Sequence, residues 1–221
     1  MLSKKIYPLI LIAAAFDSQA AIINFDALQP FNDYDPILAG YGSTADVTVS
    51  YSSLNLDGSV AYADVLLWND GYADLNTAAF AHTSGLLLSI KLTAVNPNQS
   101  VTLNSFDVAA YPTGAVNSTL TATDFRVVDG NDFSNILVNY GPYEVSRFAA
   151  QTFSPNLTAR SLNIILGTDW NNGINNINFT VAAVPLPGSV WLFGTALAGL
   201  GLTRKTRKVC SNSSSKSRKG G

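Results

Sequence analysis

The side chains that could do chemistry in this chain are few. His82 is the only histidine, Cys210 the only cysteine and Glu144 the only glutamate. A zinc centre needs several nitrogen, sulfur or carboxylate ligands at defined spacing, which one histidine cannot supply. His82, between Ala81 and Thr83, reads as a turn or surface residue. A glycosidase needs two carboxylates flanking the scissile bond, one with a raised pKa. Glu144 could be one of them, but nothing in the sequence selects an aspartate to partner it. The residue types therefore predict a protein that is not an enzyme, with a secreted glycan hydrolase as the rival reading.

Two kinds of binding chemistry fit better. Hard cations take carboxylate and amide oxygens, and Asp129, Asn131 and Asp132 form one local cluster. That cluster lacks the spacing and distal glutamate of an EF-hand, and a tight β-turn explains it equally well. Asp26 is a further candidate ligand for a structural calcium, and Asp33 and Asp35 beside Phe31 and Tyr34 form another acidic group. Sugars, by contrast, are held by aromatic faces beside polar side chains. The expected loop Trp68-Asn69-Asp70-Gly71-Tyr72-Ala73-Asp74 offers both, and Asp169-Trp170-Asn171-Asn172 offers them again. Trp68, Tyr72 and Trp170 are thus the candidate glycan-binding residues, against the alternative that each tryptophan caps a core.

The charges sort by position. Between Ala21 and Ala183 there are fourteen acids against four bases (Lys91, Arg126, Arg147 and Arg160), a net charge of −10. The other nine bases all lie in the two end segments. A body this acidic repels nucleic acid and anionic lipid, which bind to basic patches. It also has no cysteine, so it carries no disulfide and no thiol nucleophile. At this length a single domain buries about 70% of its unfolded surface and can stand on its core alone.

The elements that must position these residues read as strands separated by polar turns. Val47, Val49 and Tyr51 alternate with Thr48, Ser50 and Ser52, the pattern of a half-buried strand. Leu86, Leu88, Ile90 and Leu92 alternate with Leu87, Ser89, Lys91 and Thr93 in the same way. Val60 to Trp68 is more continuously apolar and predicts one central strand, with a short helix as the alternative. Asn96 to Gln99 predicts a turn that closes a hairpin with Val101 to Leu103. A phase shift past Ser105 predicts a bulge. Further strands are expected at Ala21–Phe25, Leu120–Val128, Ile136–Tyr140, Arg147–Phe153, Ser161–Leu166 and Gly173–Ala182, with a turn at Asp129–Asp132. The fold class is all-β, a jelly-roll-type β-sandwich over residues 21–183.

Both ends carry a different grammar. Lys4 and Lys5 precede the apolar run Ile6–Phe16, and Ser18-Gln19-Ala20 supplies small residues at a cleavage site. Residues 1–20 are therefore expected to be a signal peptide cut after Ala20. Near the other end, Val184-Pro185-Leu186-Pro187 fixes two φ angles and removes two donors, which predicts extended backbone. The sixteen uncharged residues Gly188–Thr203 follow, and then the basic cluster Arg204, Lys205, Arg207 and Lys208. An apolar run ending in basic residues predicts a membrane helix with its C-terminal side in the cytoplasm. At about 24 Å it is short for a hydrocarbon core of about 30 Å.

The order of these parts resembles the PEP-CTERM sorting signal of Gram-negative bacteria: a Val-Pro-x-Pro motif, a short apolar helix opening Trp-Leu-Phe-Gly, and a basic end. The matching residues are Val184, Pro185, Pro187, Trp191, Leu192, Phe193, Gly194, Gly199, Leu200 and the cluster Arg204 to Lys208. Leu186 stands where the family name implies Glu, and the chain continues beyond the cluster through residues 209–221, expected to be a disordered cytoplasmic tail. What the resemblance implies is processing by exosortase, a membrane thiol peptidase-transferase. The body would cross the inner membrane, be held there transiently by the helix Gly188–Thr203 of the sorting segment 184–208, and be released to the cell surface or exopolysaccharide matrix. An envelope protein that stays anchored is the alternative. Ile23 to Asp26 and Gly173 to Phe179 also resemble the first and last strands of galactose-binding-like jelly rolls, in which a terminal strand often reads Gly-Ile-Asp-Asn-Ile and pairs near the first. That likeness implies glycan binding and, in many members, a structural calcium; Asn175 here replaces the usual Asp.

Overall fold

A computed structural model describes residues 19–111 and 119–184. The expected signal peptide up to Ser18 and the sorting segment from Pro185 onward lie outside the described residues. Among the described residues, no helix is long and apolar enough to cross a membrane.

The body is all-β. Strand β1 (Gln19–Ile23) leads into a short 3-10 turn, Phe25–Leu28, capped by the Asn24 side chain. β2 (Val47–Leu54) and β3 (Val60–Tyr62) form a hairpin, as do β4 (Leu66–Tyr72) and β5 (Leu75–Phe80). β6 (Leu87–Ala94) and the long β7 (Gln99–Ala110) follow. Next come β8 (Thr119–Ala122), β9 (Asp124–Asp129), β10 (Asp132–Asn139) and β11 (Tyr143–Ser146). The body ends with β12 (Gln151–Phe153), β13 (Leu157–Ala159), β14 (Ser161–Gly167) and β15 (Asn172–Ala183).

These strands make two large sheets. One runs β12-β7-β15-β5-β4, with β1 also on β15 and β13 also on β7; the other runs β10-β9-β14-β6-β2-β3. β8 and β11 form a separate pair. The sheets pack face to face as a β-sandwich because each strand buries its alternate residues. Leu88, Ile90 and Leu92 of β6 meet Leu103, Phe106 and Val108 of β7 and Ile177 and Phe179 of β15 in one core. Leu87, one position out of phase, instead joins Leu54, Val128 and Ile165 on the other face of its sheet. Ile177, Phe179 and Val181 share the core face as the alternation requires.

Four local expectations need correction. Leu120–Val128 is divided between β8, paired with β11, and β9 of the six-stranded sheet, and of Arg147–Phe153 only Gln151–Phe153 is strand. Val60–Trp68 is not one strand: β3 is exposed at the edge of one sheet, while β4 begins the edge hairpin of the other. The polar step Ala63-Asp64 carries the chain between sheets, which an apolar run alone does not reveal. The turn at Asn96 to Gln99 forms, with Asn98 N donating to Asn96 Oδ1 at 2.9 Å. It does not close a hairpin, because β6 and β7 lie in different sheets. Their apolar faces meet across the core instead of sharing a ladder. The bulge expected past Ser105 is present: the β7–β15 register shifts around Asn104, and shifts again at Asn176.

One side chain holds the sheet together where its pairing changes partner. β15 pairs with β1 from Ile177 to Val181 and with β5 at Ile174. Between them Asn175, 1% exposed, turns its amide into the gap. Its Oδ1 accepts from Phe25 N at 2.9 Å and Asn176 N at 2.7 Å. Its Nδ2 donates to Thr77 O at 2.8 Å and Asp26 Oδ1 at 3.0 Å. An aspartate could offer only acceptors, and would face Asp26. Asn175→Asp is therefore expected to cost about 3 kcal/mol, read as a lower urea midpoint at pH 7. The added carboxylate, buried beside Asp26, would hold a raised pKa, so the folded state would bind protons more tightly and stability would return as pH falls through that pKa. An unchanged midpoint would contradict the role given to Asn175.

Candidate functional site

The candidate glycan residues Trp68, Tyr72 and Trp170, 98 positions apart between the last two, come together. They line one cleft of about 140 Å³ with Tyr34, Phe80, Tyr111 and Asn171. The cleft lies on the outer face of the sheet that carries β4 and β5. Trp68, Leu66 and Phe80 point there, whereas their neighbours Leu67, Ala79 and Ala81 enter the core.

Each element has a reason to deliver its ring. Residues 34–37 run along the edge of β4 through Tyr34 N to Leu67 O at 2.9 Å, Leu67 N to Asp35 O at 2.9 Å and Ile37 N to Val65 O at 3.0 Å. That pairing sets the Tyr34 ring 5.0 Å from Trp68, edge to face, and 6.2 Å from Trp170, stacked. Trp170 sits on the β14–β15 turn, where Asp169 Oδ1 accepts from both Asn171 N and Nδ2 at 2.9 Å. The Tyr72 hydroxyl donates to Trp170 O at 2.6 Å and fixes the turn against β4. Burial, then the nearby Asp169, Tyr34 and Tyr111, pushes the Tyr72 pKa well above its ordinary value, so this donor keeps its proton. Gly173 lets the Tyr72 ring lie on β15: a Cβ there would stand 2.7 Å from Tyr72 Cδ1.

The cleft is graded from anchored to open. Phe80 and Tyr72 are buried at 1% and 4% exposure, while Trp170 and Tyr34 are 37% and 47% exposed. Among the described residues the Tyr34 and Tyr111 hydroxyls and the Trp68 and Trp170 indole N–H groups make no hydrogen bond, which leaves them for solvent or a ligand. Apolar ring faces beside free donors suit a ligand with both C–H faces and hydroxyls. Trp68 packs on the small buried cluster of Leu66, Tyr72, Leu75, Ala78, Phe80 and Ala109, as the core-cap alternative has it, whereas Trp170 stays 37% exposed. Phe80 and Tyr72 form the floor.

The candidate calcium residues are not brought together. Asp129 Oδ1 accepts from Asn131 N at 2.8 Å, and Asp132 Oδ1 from Ser134 N and Oγ at 3.0 and 2.6 Å. The Ser134 bonds lower the Asp132 pKa. Asp26 accepts from two amides, Asn175 Nδ2 and Asn76 Nδ2. Among the described residues, no three of His, Cys, Asp and Glu cluster closely enough to hold a metal. Glu144 is exposed, and Thr121 and Thr119 donate to its two oxygens at 2.5 and 2.7 Å, which lowers its pKa. His82 stacks on Tyr62 with ring centroids 4.0 Å apart, its Nε2 4.0 Å from Asp64 Oδ1. The sorting residues Pro185, Leu186, Pro187, Trp191, Phe193, Gly194, Gly199 and the basic cluster lie outside the described residues.

Sequence reasoning missed Tyr34 as a wall of the cleft, together with Tyr111 and Phe80. Tyr34 carried a signal, an aromatic ring inside an acidic loop. Tyr111 and Phe80 carried none: Phe80 ends β5, a strand not expected from the sequence, and Tyr111 follows the last residue of β7.

No protein-family model matches the chain, and no curated protein matches it. Among solved structures, it is similar to the enzymatically active domain of bacteriophage CBA120 tailspike protein 4. The two share 16% identity and a TM-score of 0.28, over 63% of this chain and 20% of that one. So slight a likeness defines neither fold nor chemistry.

Proposed function

We propose that this protein is an exported, non-enzymatic carbohydrate-binding module of the cell surface or extracellular matrix, delivered by its tripartite C-terminal segment. The observation that carries the binding half is the convergence of Trp68, Trp170, Tyr34 and Tyr111 on one open cleft with unspent donors. The lowered pKa of Glu144 argues against its acting as a glycosidase's general acid, which needs the opposite shift. The repeated crossing of the chain between the sheets supports a jelly-roll arrangement of the sandwich, and β1 on β15 supports the likeness to galactose-binding-like domains. The order Pro motif, apolar run and basic cluster supports export and processing by exosortase. Cleavage after Ala20 would leave Ala21 to Ile23 still paired with β15.

Binding is tested by affinity electrophoresis through soluble galactan, β-glucan and xylan. Trp170→Ala and Trp68→Ala are each expected to weaken retardation about tenfold with the far-ultraviolet circular dichroism unchanged. Equal retardation of wild type and both variants would overturn the cleft as the site. Sorting is tested by intact mass of the protein recovered from its native envelope and medium. A species from Ala21 to about Pro187 is expected; recovery of Ala21 to Gly221 from membranes would mean that the apolar run is a permanent anchor.

A further inference from the structure

The other sheet carries a second cleft, of about 250 Å³, on its outer face. Its floor follows from register. Ser50, Lys91 and Asn163 lie side by side across β2, β6 and β14, with Ser52 and Ser89 in the next row. These are the outward positions of strands whose inward residues form the core, so the row is polar by alternation.

Two hairpins from opposite edges of this sheet meet over that floor. β3 and β10 are its edge strands. Yet the β2–β3 turn touches the start of β10: a Cβ on Gly58 would stand 2.6 Å from the Phe133 ring. The Arg126 guanidinium lies 4.6 Å from the centre of the same ring. Gly130, in the β9–β10 turn, packs on the Lys91 stem, where its Cβ would be 3.1 Å from Lys91 Cε. The two turns thus wall a groove that Lys91 lines with Ser50, Ser52, Ser89 and Asn163.

The polar groups in the groove are not all spent on the protein. Asn163 is only 8% exposed. Its Oδ1 accepts from Ser89 Oγ at 2.9 Å, while its Nδ2 has no hydrogen-bond partner among the described residues. Lys91 has no carboxylate within ion-pair distance among the described residues. The Asn163 Nδ2 thus reaches the groove as an open donor beside serine hydroxyls and a lysine, a set that a polar ligand can meet in place of water.

We propose that this groove is a second carbohydrate site, which holds a neutral polysaccharide chain by hydrogen bonds where the aromatic cleft holds one by stacking. Neutrality follows from charge: the groove is lined by one lysine and one aspartate, Lys91 and Asp129, which balance, on a body that repels polyanions. The four strands from β2 to β9 span about 14 Å at roughly 4.8 Å each, which gives room for more than one sugar ring. The two sites open on opposite faces of the sandwich. One molecule therefore bridges two chains, so the protein cross-links a polysaccharide network. This rests on the carbohydrate reading of the aromatic cleft.

The test uses the full chain in mild detergent with long-chain galactan, β-glucan and xylan, read by light scattering and by affinity electrophoresis. Wild type is expected to raise scattering with at least one of the three. Lys91→Gln combined with Ser50→Val, both at solvent-facing positions, should still bind that polysaccharide through the aromatic cleft but lose most of the scattering, about tenfold. Trp170→Ala should lose scattering likewise while retaining Lys91-dependent binding. If the Lys91 and Ser50 double variant scatters like wild type, the groove is not a site and the aromatic reading stands alone. If Trp170→Ala abolishes all binding, the groove also fails. If none of the three polysaccharides is bound, both readings fall together.

Discussion

The Asn175 amide is the contact on which the rest of the body depends. β15 is the central strand of its sheet, and its outer edge must serve two partners, the N-terminal strand and β5. A strand that changes partner leaves backbone donors and acceptors without a ladder. Asn175 meets them with one side chain: it accepts from Phe25 and its own neighbour and donates to Thr77 and Asp26. A neutral amide alone combines both polarities at that point. Thr77 belongs to β5, and β5 carries Phe80 and supports β4, so the aromatic cleft inherits its position from this bond.

The two outer faces of the sandwich then diverge in chemistry. On one, large rings from an edge loop, β4 and the β14–β15 turn stack over Phe80. On the other, small hydroxyl and amide side chains leave a groove between two arching hairpins. The core between them is built of aliphatic residues and the phenylalanines Phe106, Phe125, Phe153 and Phe179. It needs no disulfide, in keeping with a body that has no cysteine. Function on this scaffold is a matter of what alternation places outward, since the inward half of every strand is committed to packing.

Much of this was legible in the residues. Period-2 alternation in β2, β6 and β15 gave the strands and their core faces, and the all-β class followed. Trp68, Tyr72 and Trp170 stood out because aromatic and amide residues lie together in sequence, although the stretch expected as a loop at Trp68–Tyr72 is part of strand β4. Their convergence was not legible, because it depends on which sheet each strand joins. The run from Val60 to Trp68 shows why: a single apolar stretch is divided between sheets by one polar step. The turn at Asn96 was equally plain as a turn and equally silent about whether it closes a hairpin or a corner. In the sequence Asn175 is only a replacement of the Asp usual in the galactose-binding-like motif. It is a gain of two donors, visible only once Asp26 and Thr77 are seen beside it.

The most direct test of the aromatic cleft as a carbohydrate site is tryptophan emission during titration with oligosaccharides of whichever polysaccharide the protein retains. The chain has three tryptophans, Trp68, Trp170 and Trp191, so a Trp191→Phe background leaves only the two in the cleft. The account predicts a saturable blue shift with protection from acrylamide quenching, as sugar rings displace water from the exposed face of Trp170. Saturable binding with no change in emission or quenching would contradict it.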